Sequence, residues 1–213
     1  YNCKMTNTLN ERAEAEASSG SHRYGNANVD VDVFYISSSS NTKYAPSNVC
    51  SVFKNVKKFD FYTSSLVELK KSTFDGCSKL REIRLEHFSF KRLDSDVFDS
   101  ILGLEILYIQ YTNLEVLPSG IFKSNTKLKT AILSYNNNLK TIDATFPPSI
   151  RKLSLTGSRC IDKRFDLEQT PSANLTTFLR EVSDKCASGI SSALMNITDQ
   201  SVKFSIVSNH IDK

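Results

Sequence analysis

Apolar residues recur along this chain in columns that step by 24 positions between Val56 and Leu155. Val56, Leu80, Leu104 and Leu128 open successive copies; Phe59, Ile83, Leu107 and Ala131 hold the fourth position, and Phe61, Leu85, Ile109 and Leu133 the sixth. Further columns follow as Leu66, Phe90, Leu114; as Leu69, Leu93, Leu117; and as Phe74, Phe98, Phe122, Phe146. Apolar residues two apart predict one short strand per copy, with the third, fifth and seventh positions on the opposite face. One such unit cannot bury its apolar side alone. Stacked copies share a continuous core, in which each inward Leu or Phe gains roughly 1.5–3 kcal/mol. The Phe column is predicted to pack between turns on the convex side.

Two copies depart from the period. Leu139 stands one place late, and Asn136-Asn137-Asn138 absorbs the extra residue as a turn. The next copy is shortened: Phe146 lies four residues before Ile150, and Pro147-Pro148 holds an extended backbone there. Ile150, Leu153 and Leu155 restore the strand pattern, so the stack is predicted to continue.

The flanks read differently. Asn10 to Ser21 is charged, then Ser- and Gly-rich, and is predicted to be a mobile loop or frayed helix. Val29, Val31 and Val33 alternate with Asp30 and Asp32, the pattern of a half-buried strand pairing with the first copy. Leu175, Phe178, Leu179 and Val182 fall at helical spacing, with Ser172 or Asn174 as N-cap, and this helix would cover the last turn. Beyond it, Ile190, Leu194, Ile197, Phe204 and Ile211 fit a marginal heptad seam, while Val202, Phe204 and Ile206 fit a strand. The chain thus divides into an N-terminal cap with a cysteine pair and mobile loop (1–55), about five repeats (56–158), a C-terminal cap with a helix (159–186) and a tail (187–213).

Charge and chemistry narrow the function. Lys and Arg number 27 against 23 Asp and Glu, and a net charge of +4 is too mild to argue for nucleic acid. No stretch approaches the roughly 18 apolar residues of a membrane span. His22, His87 and His210 lie far apart in the sequence, with no metal-ligand spacing and no adjacent nucleophile, and no Gly-rich phosphate loop occurs. No catalytic residues, metal ligands or cofactor are expected. Five cysteines leave at least one outside any intrachain pairing. Bridges Cys3–Cys50 and Cys160–Cys186 would clamp the two ends, with Cys77 reduced and buried in the column that Ile101 and Asn125 continue. Such bridges persist in oxidising compartments, and Tyr1 would then lie near the start of a processed, secreted chain. Asn174-Leu175-Thr176 and Asn196-Ile197-Thr198 match the glycosylation sequon.

The outward strand positions are where such an architecture would bind. The third positions are Lys58, Glu82, Ile106, Thr130 and Lys152; the fifth are Asp60, Arg84, Tyr108, Ile132 and Ser154; the eighth are Thr63, His87, Tyr111, Tyr135 and Gly157. Arg84, Tyr108 and Ile132 would form one row, and His87, Tyr111 and Tyr135 another. Tyr and Arg are the residues that most often dominate binding energy at a protein surface.

These columns, and above all LEILYIQYTNLEVLPSGIF, resemble the 24-residue repeat of extracellular leucine-rich repeat proteins. That resemblance implies an α/β repeat solenoid, a horseshoe with short parallel strands on its concave face and a cap at each end. The short N-terminal cysteine region, the DVDVFYISSS stretch and the few repeats are similar to the short leucine-rich immune proteins of mosquitoes. For such a protein the resemblance implies secreted, non-catalytic recognition in innate immunity, with a complement-like thioester protein or another leucine-rich repeat protein as partner. A secreted structural or salivary-type protein binding a host protein or small ligand is the alternative. The family's Asn at position nine is kept only at Asn136; Ser64, Phe88, Thr112 and Ser158 replace it, so its hydrogen-bond ladder should be incomplete.

Overall fold

The structure is a computed structural model that describes residues 2–5, 27–37, 42–47, 49–62 and 65–187. Its spine is an eight-stranded sheet ordered β1 (Asn2–Met5), β2 (Val33–Ile36), β3 (Lys58–Tyr62), β4 (Glu82–Glu86), β5 (Ile106–Gln110), β7 (Thr130–Ile132), β9 (Lys152–Ser154) and β10 (Arg164–Asp166). Neighbours pair in parallel except β10, which returns antiparallel to β9. On the far side of each turn, β6 (Val116–Leu117) and β8 (Thr141–Ile142) pair, and the bridges Tyr44 to Glu68 and Arg92 to Val116 extend that second line. Among the described residues, two α-helices flank these strands, α1 (Val49–Val52) and α2 (Leu175–Cys186).

The 24-residue period becomes cross-strand register. Phe59 faces Ile83, which faces Leu107, which faces Ala131, so each apolar column is a row of neighbours. These fourth and sixth positions are fully buried, and the third and fifth are half-exposed apart from the buried Ser154. Phe74, Phe98, Phe122 and Phe146 form a continuous stack between the two strand lines, with successive ring centroids 5.9, 6.3 and 5.4 Å apart. Pro147-Pro148 shortens its turn without interrupting the sheet, because Ile150, Leu153 and Leu155 still turn inward.

Two sequence expectations are corrected. The strand predicted at Val29–Val33 begins at Val33, and Asn28–Asp30 is a 3-10 turn. Val29 is 55% exposed, while Val31, Phe34 and Ile36 are buried. Those three reproduce the first, fourth and sixth positions of a repeat, and Phe34 pairs with Phe59 and Ile36 with Phe61. Pairing with β3 therefore overrides the local alternation of valines, and a further turn precedes Val56.

The second correction concerns the N-terminal bridge. Cys50 is bonded to Cys77, Cα to Cα 5.0 Å, so the Cys3–Cys50 pairing does not form and Cys77 is not a reduced thiol. Cys3 lies in β1 on the sheet, whereas Cys50 lies in α1 on the opposite side of the turn, beside the 3-10 segment Lys71–Phe74 of the next copy. Cys77 is buried as its column requires, and it faces a cysteine across the gap between turns. Cys160 and Cys186 are bridged at 5.3 Å between Cα atoms.

The N-cap of α2, left open between Ser172 and Asn174 by the sequence, is Asn174. Asn174 Oδ1 accepts from the Thr177 N–H at 3.0 Å. The helix buries Val182 and Cys186, and Phe178 packs on Phe165 at 5.7 Å. The loop expected at 10–21, the patterns between Ile190 and Ile211, Asn196, His22 and His210 lie outside the described residues. Among the described residues no helix is long and apolar enough to cross a membrane.

Candidate functional site

The outward row of the sheet begins as an ion-paired patch. Lys58 Nζ lies 3.0 Å from Asp60 and 3.4 Å from Glu82, and Arg84 Nε donates to Glu82 at 2.8 Å. Burial opposes ionisation of Arg84, but its hydrogen bond to Glu82 and the nearby negative charge outweigh that and raise its pKa. One strand further, the Arg84 guanidinium carbon sits 4.3 Å from the Tyr108 ring centroid, a cation–π contact. Tyr108 then pairs in register with Ile132, and Ile106 with Thr130. The row Arg84, Tyr108, Ile132 is thus one contiguous strip, charged at one edge and apolar at its centre.

The second row is built differently. His87, Tyr111 and Tyr135 lie just past the strands, each with left-handed backbone at φ 64°, 54° and 60°. For an L residue this conformation costs roughly 1–2 kcal/mol. It is held because each N–H donates to the next copy: His87 to the Gln110 carbonyl at 3.2 Å, Tyr111 to Ser134 at 3.4 Å, Tyr135 to Thr156 at 2.7 Å. The same turn aligns the side chains. His87 stacks on Tyr111 at 5.3 Å and Tyr111 on Tyr135 at 4.7 Å, with ring planes within 7° and 6°. Tyr62 closes the ladder edge-on against His87 at 4.6 Å. The sequence columns missed Tyr62 because it occupies the seventh position; a tyrosine one place off the column was the available signal.

Gly157 ends the ladder. It shares the left-handed turn at φ 72°, and a Cβ there would come within 3.1 Å of the Tyr135 Cα. Tyr62, Tyr111 and Tyr135 remain 47%, 49% and 47% exposed, high for stacked rings. The ladder is therefore an ordered apolar surface open to solvent, carried on strained backbone.

Below both rows lies the Asn136 network. Asn136 Nδ2 donates to the Ile109 carbonyl at 2.8 Å and to Leu133 at 3.0 Å, while Oδ1 accepts from the Thr112 backbone at 3.0 Å and its hydroxyl at 2.7 Å. Two copies before Asn136, Phe88 fills that position and stacks on Phe90 at 4.9 Å, which breaks the ladder there. The far end of the sheet is polar: Lys152 faces the buried Asp166 at 3.4 Å, and Ser134 and Ser154 share a hydrogen bond of 2.8 Å. Burial works against the Asp166 charge, yet the backbone N–H groups of Gln169 and Glu168, with Lys152, hold its pKa below the usual value. Among the described residues no cluster of His, Cys, Asp and Glu has metal-binding geometry. A cleft of about 220 Å³ opens elsewhere, beside α2, lined by Ile142, Phe146, Leu179 and Val182.

Comparison with known proteins follows the same repeats. A family model described as BspA type leucine rich repeat region matches residues 33–154, in six copies. The chain is 27% identical over 128 residues, 60% of its length, to leucine-rich repeat-containing G-protein coupled receptor 5 of Xenopus tropicalis. It is 26% identical over 132 residues, 59% of its length, to Toll-like receptor 3 of Boselaphus tragocamelus. The matched regions are only 14% and 15% of those receptors. Among solved structures, the Drosophila Toll–Spatzle complex aligns at a TM-score of 0.48 and 16% identity, over 63% of this chain and 21% of the matched one.

Proposed function

This chain belongs to the leucine-rich repeat family, and from that premise we propose that it is a secreted, non-catalytic recognition protein that binds a protein partner in innate immunity. The observation that carries the reading is the pair of adjoining rows, Arg84–Tyr108–Ile132 and His87–Tyr111–Tyr135, the second closed at its edge by Tyr62. Their aromatic centre and charged margin have the anatomy of a protein interface. An open sheet offers no enclosure for a small molecule. The cations Lys58, Arg84 and Lys152 on this face already oppose carboxylates, which leaves them poorly placed to neutralise phosphates. Two disulfides among the described residues fit an oxidising, extracellular setting. The likeness to a Toll-like receptor favours the immune reading, and a complement-like thioester protein or another leucine-rich repeat protein is the partner class to try first.

The test uses the full chain with both bridges intact. Partners are captured from body fluid and identified, and their affinity for the parent is compared with that of a Tyr108→Ala, Tyr111→Ala double variant. A loss of about 2 kcal/mol, roughly 30-fold in Kd, is expected. A double variant that binds as tightly as the parent moves the site off this face.

A further inference from the structure

The two sequons reach beyond partner binding, and the structure describes one of them. Asn174 is exposed at the start of α2, and so is Thr176, the residue that completes the sequon. The orientation of the Asn174 amide is fixed by its capping role: Oδ1 turns inward to accept the Thr177 N–H at 3.0 Å. Nδ2 makes no hydrogen bond among the described residues, in contrast to Asn125 and Asn136, whose Nδ2 groups each donate to two backbone carbonyls inside the core. We propose that Asn174 carries an N-linked glycan on Nδ2 while it continues to cap α2.

The chemistry permits both roles at once. In the transfer, Nδ2 bonds to the anomeric carbon of an oligosaccharide donated by a polyisoprenyl pyrophosphate. The anomeric carbon–oxygen bond to the pyrophosphate breaks, the lipid pyrophosphate leaves, and Nδ2 gives up one proton. The product is a secondary amide whose carbonyl oxygen is unchanged as an acceptor, so the helix start is kept. Folding does not bury the modified residue, since Asn174, the N-cap of α2, stays exposed while Val182 and Cys186 turn into the core. The glycan would stand at the start of α2, a helix that packs on β8 and β10.

The inference rests on the secreted part of the proposed function, and its test is independent of any partner. The full chain is expressed in eukaryotic cells behind a cleavable secretory leader, in an Asn196→Gln background that removes the other sequon. Enzymatic deglycosylation in heavy-oxygen water turns an occupied Asn174 into labelled aspartate, read by peptide mass. The label is expected in the parent and absent in Thr176→Ala, which keeps the cap. Asn174→Asp should also lack the glycan yet form both disulfides and keep its melting midpoint, because Asp caps a helix as well as Asn does. Chains with Cys50–Cys77 and Cys160–Cys186 formed but Asn174 unlabelled overturn the proposal. So does a label that survives Thr176→Ala. Either result leaves the partner-binding reading standing.

Discussion

Asn136 Oδ1 accepts both the backbone N–H and the hydroxyl of Thr112, the residue one repeat before it, at 3.0 and 2.7 Å. Thr112 Oγ1 in turn accepts from the Leu114 N–H at 3.3 Å, so two side chains satisfy the turn that two asparagines would otherwise share. Both are buried, and every amide group of Asn136 is used. Asn136→Ala strands buried carbonyls and donors together and should cost about 2–4 kcal/mol in denaturant unfolding. Thr112→Val should cost less, roughly 1–2 kcal/mol, because the backbone N–H keeps its acceptor. Equal losses for the two would show that the network does not centre on Asn136.

Phe122 lies between Phe98 and Phe146, 6.3 and 5.4 Å away, and is 2% exposed. Phe122→Ala leaves a cavity inside the stack and should destabilise by about 3–5 kcal/mol. A loss below about 1 kcal/mol in a denaturant melt would contradict the packed spine.

The Cys50–Cys77 bridge spans 27 residues and ties α1 to the next copy. A closed loop of that length stabilises by roughly 3.5 kcal/mol. The double variant Cys50→Ala, Cys77→Ala should lose about that much while leaving the Cys160–Cys186 peptide pair intact. Non-reducing peptide mapping of the parent checks the pairing; a Cys3–Cys50 peptide would restore the assignment that the structure corrects.

Tyr111 combines a left-handed backbone with two stacking partners. Glycine relieves the backbone and alanine does not, and both lose the stacking. Tyr111→Gly should therefore be more stable than Tyr111→Ala by about 1 kcal/mol. The reverse order would mean that the turn carries no strain.

Glu115 sits between Lys91 and Lys140, 2.9 Å from each. Their hydrogen bonds and charge hold its pKa down at about 2, against 4.5 for the free side chain. A carboxylate whose folded pKa is depressed contributes stability above the unfolded value, and that contribution is lost as pH falls from about 4.5 toward 2. The denaturant midpoint of Glu115→Gln should fall less steeply than that of the parent across this window. Parallel curves would mean that the pair of lysines leaves folding unaffected.

Much of this molecule is determined by its sequence. The 24-residue columns give inward fourth and sixth positions, a Phe stack and parallel strands, because stacking one copy on the next buries a repeat that is apolar on one side. They also determine that Arg84, Tyr108 and Ile132 are neighbours, since one period equals one step across the sheet. Tertiary structure decided what periodicity does not encode. Val29, Val31 and Val33 alternate as a strand should, but pairing with β3 turned Phe34 and Ile36 inward with Val31 and left Val29 exposed. Cysteine order suggested end clamps, yet a disulfide needs its two Cα atoms within about 7 Å, and only folding placed α1 on the side of the turn where Cys77 lies. The ladder of His87, Tyr111 and Tyr135 needed both: the sequence supplied rings at one repeat position, and the left-handed turn, fixed by hydrogen bonds to the following copy, laid them face to face.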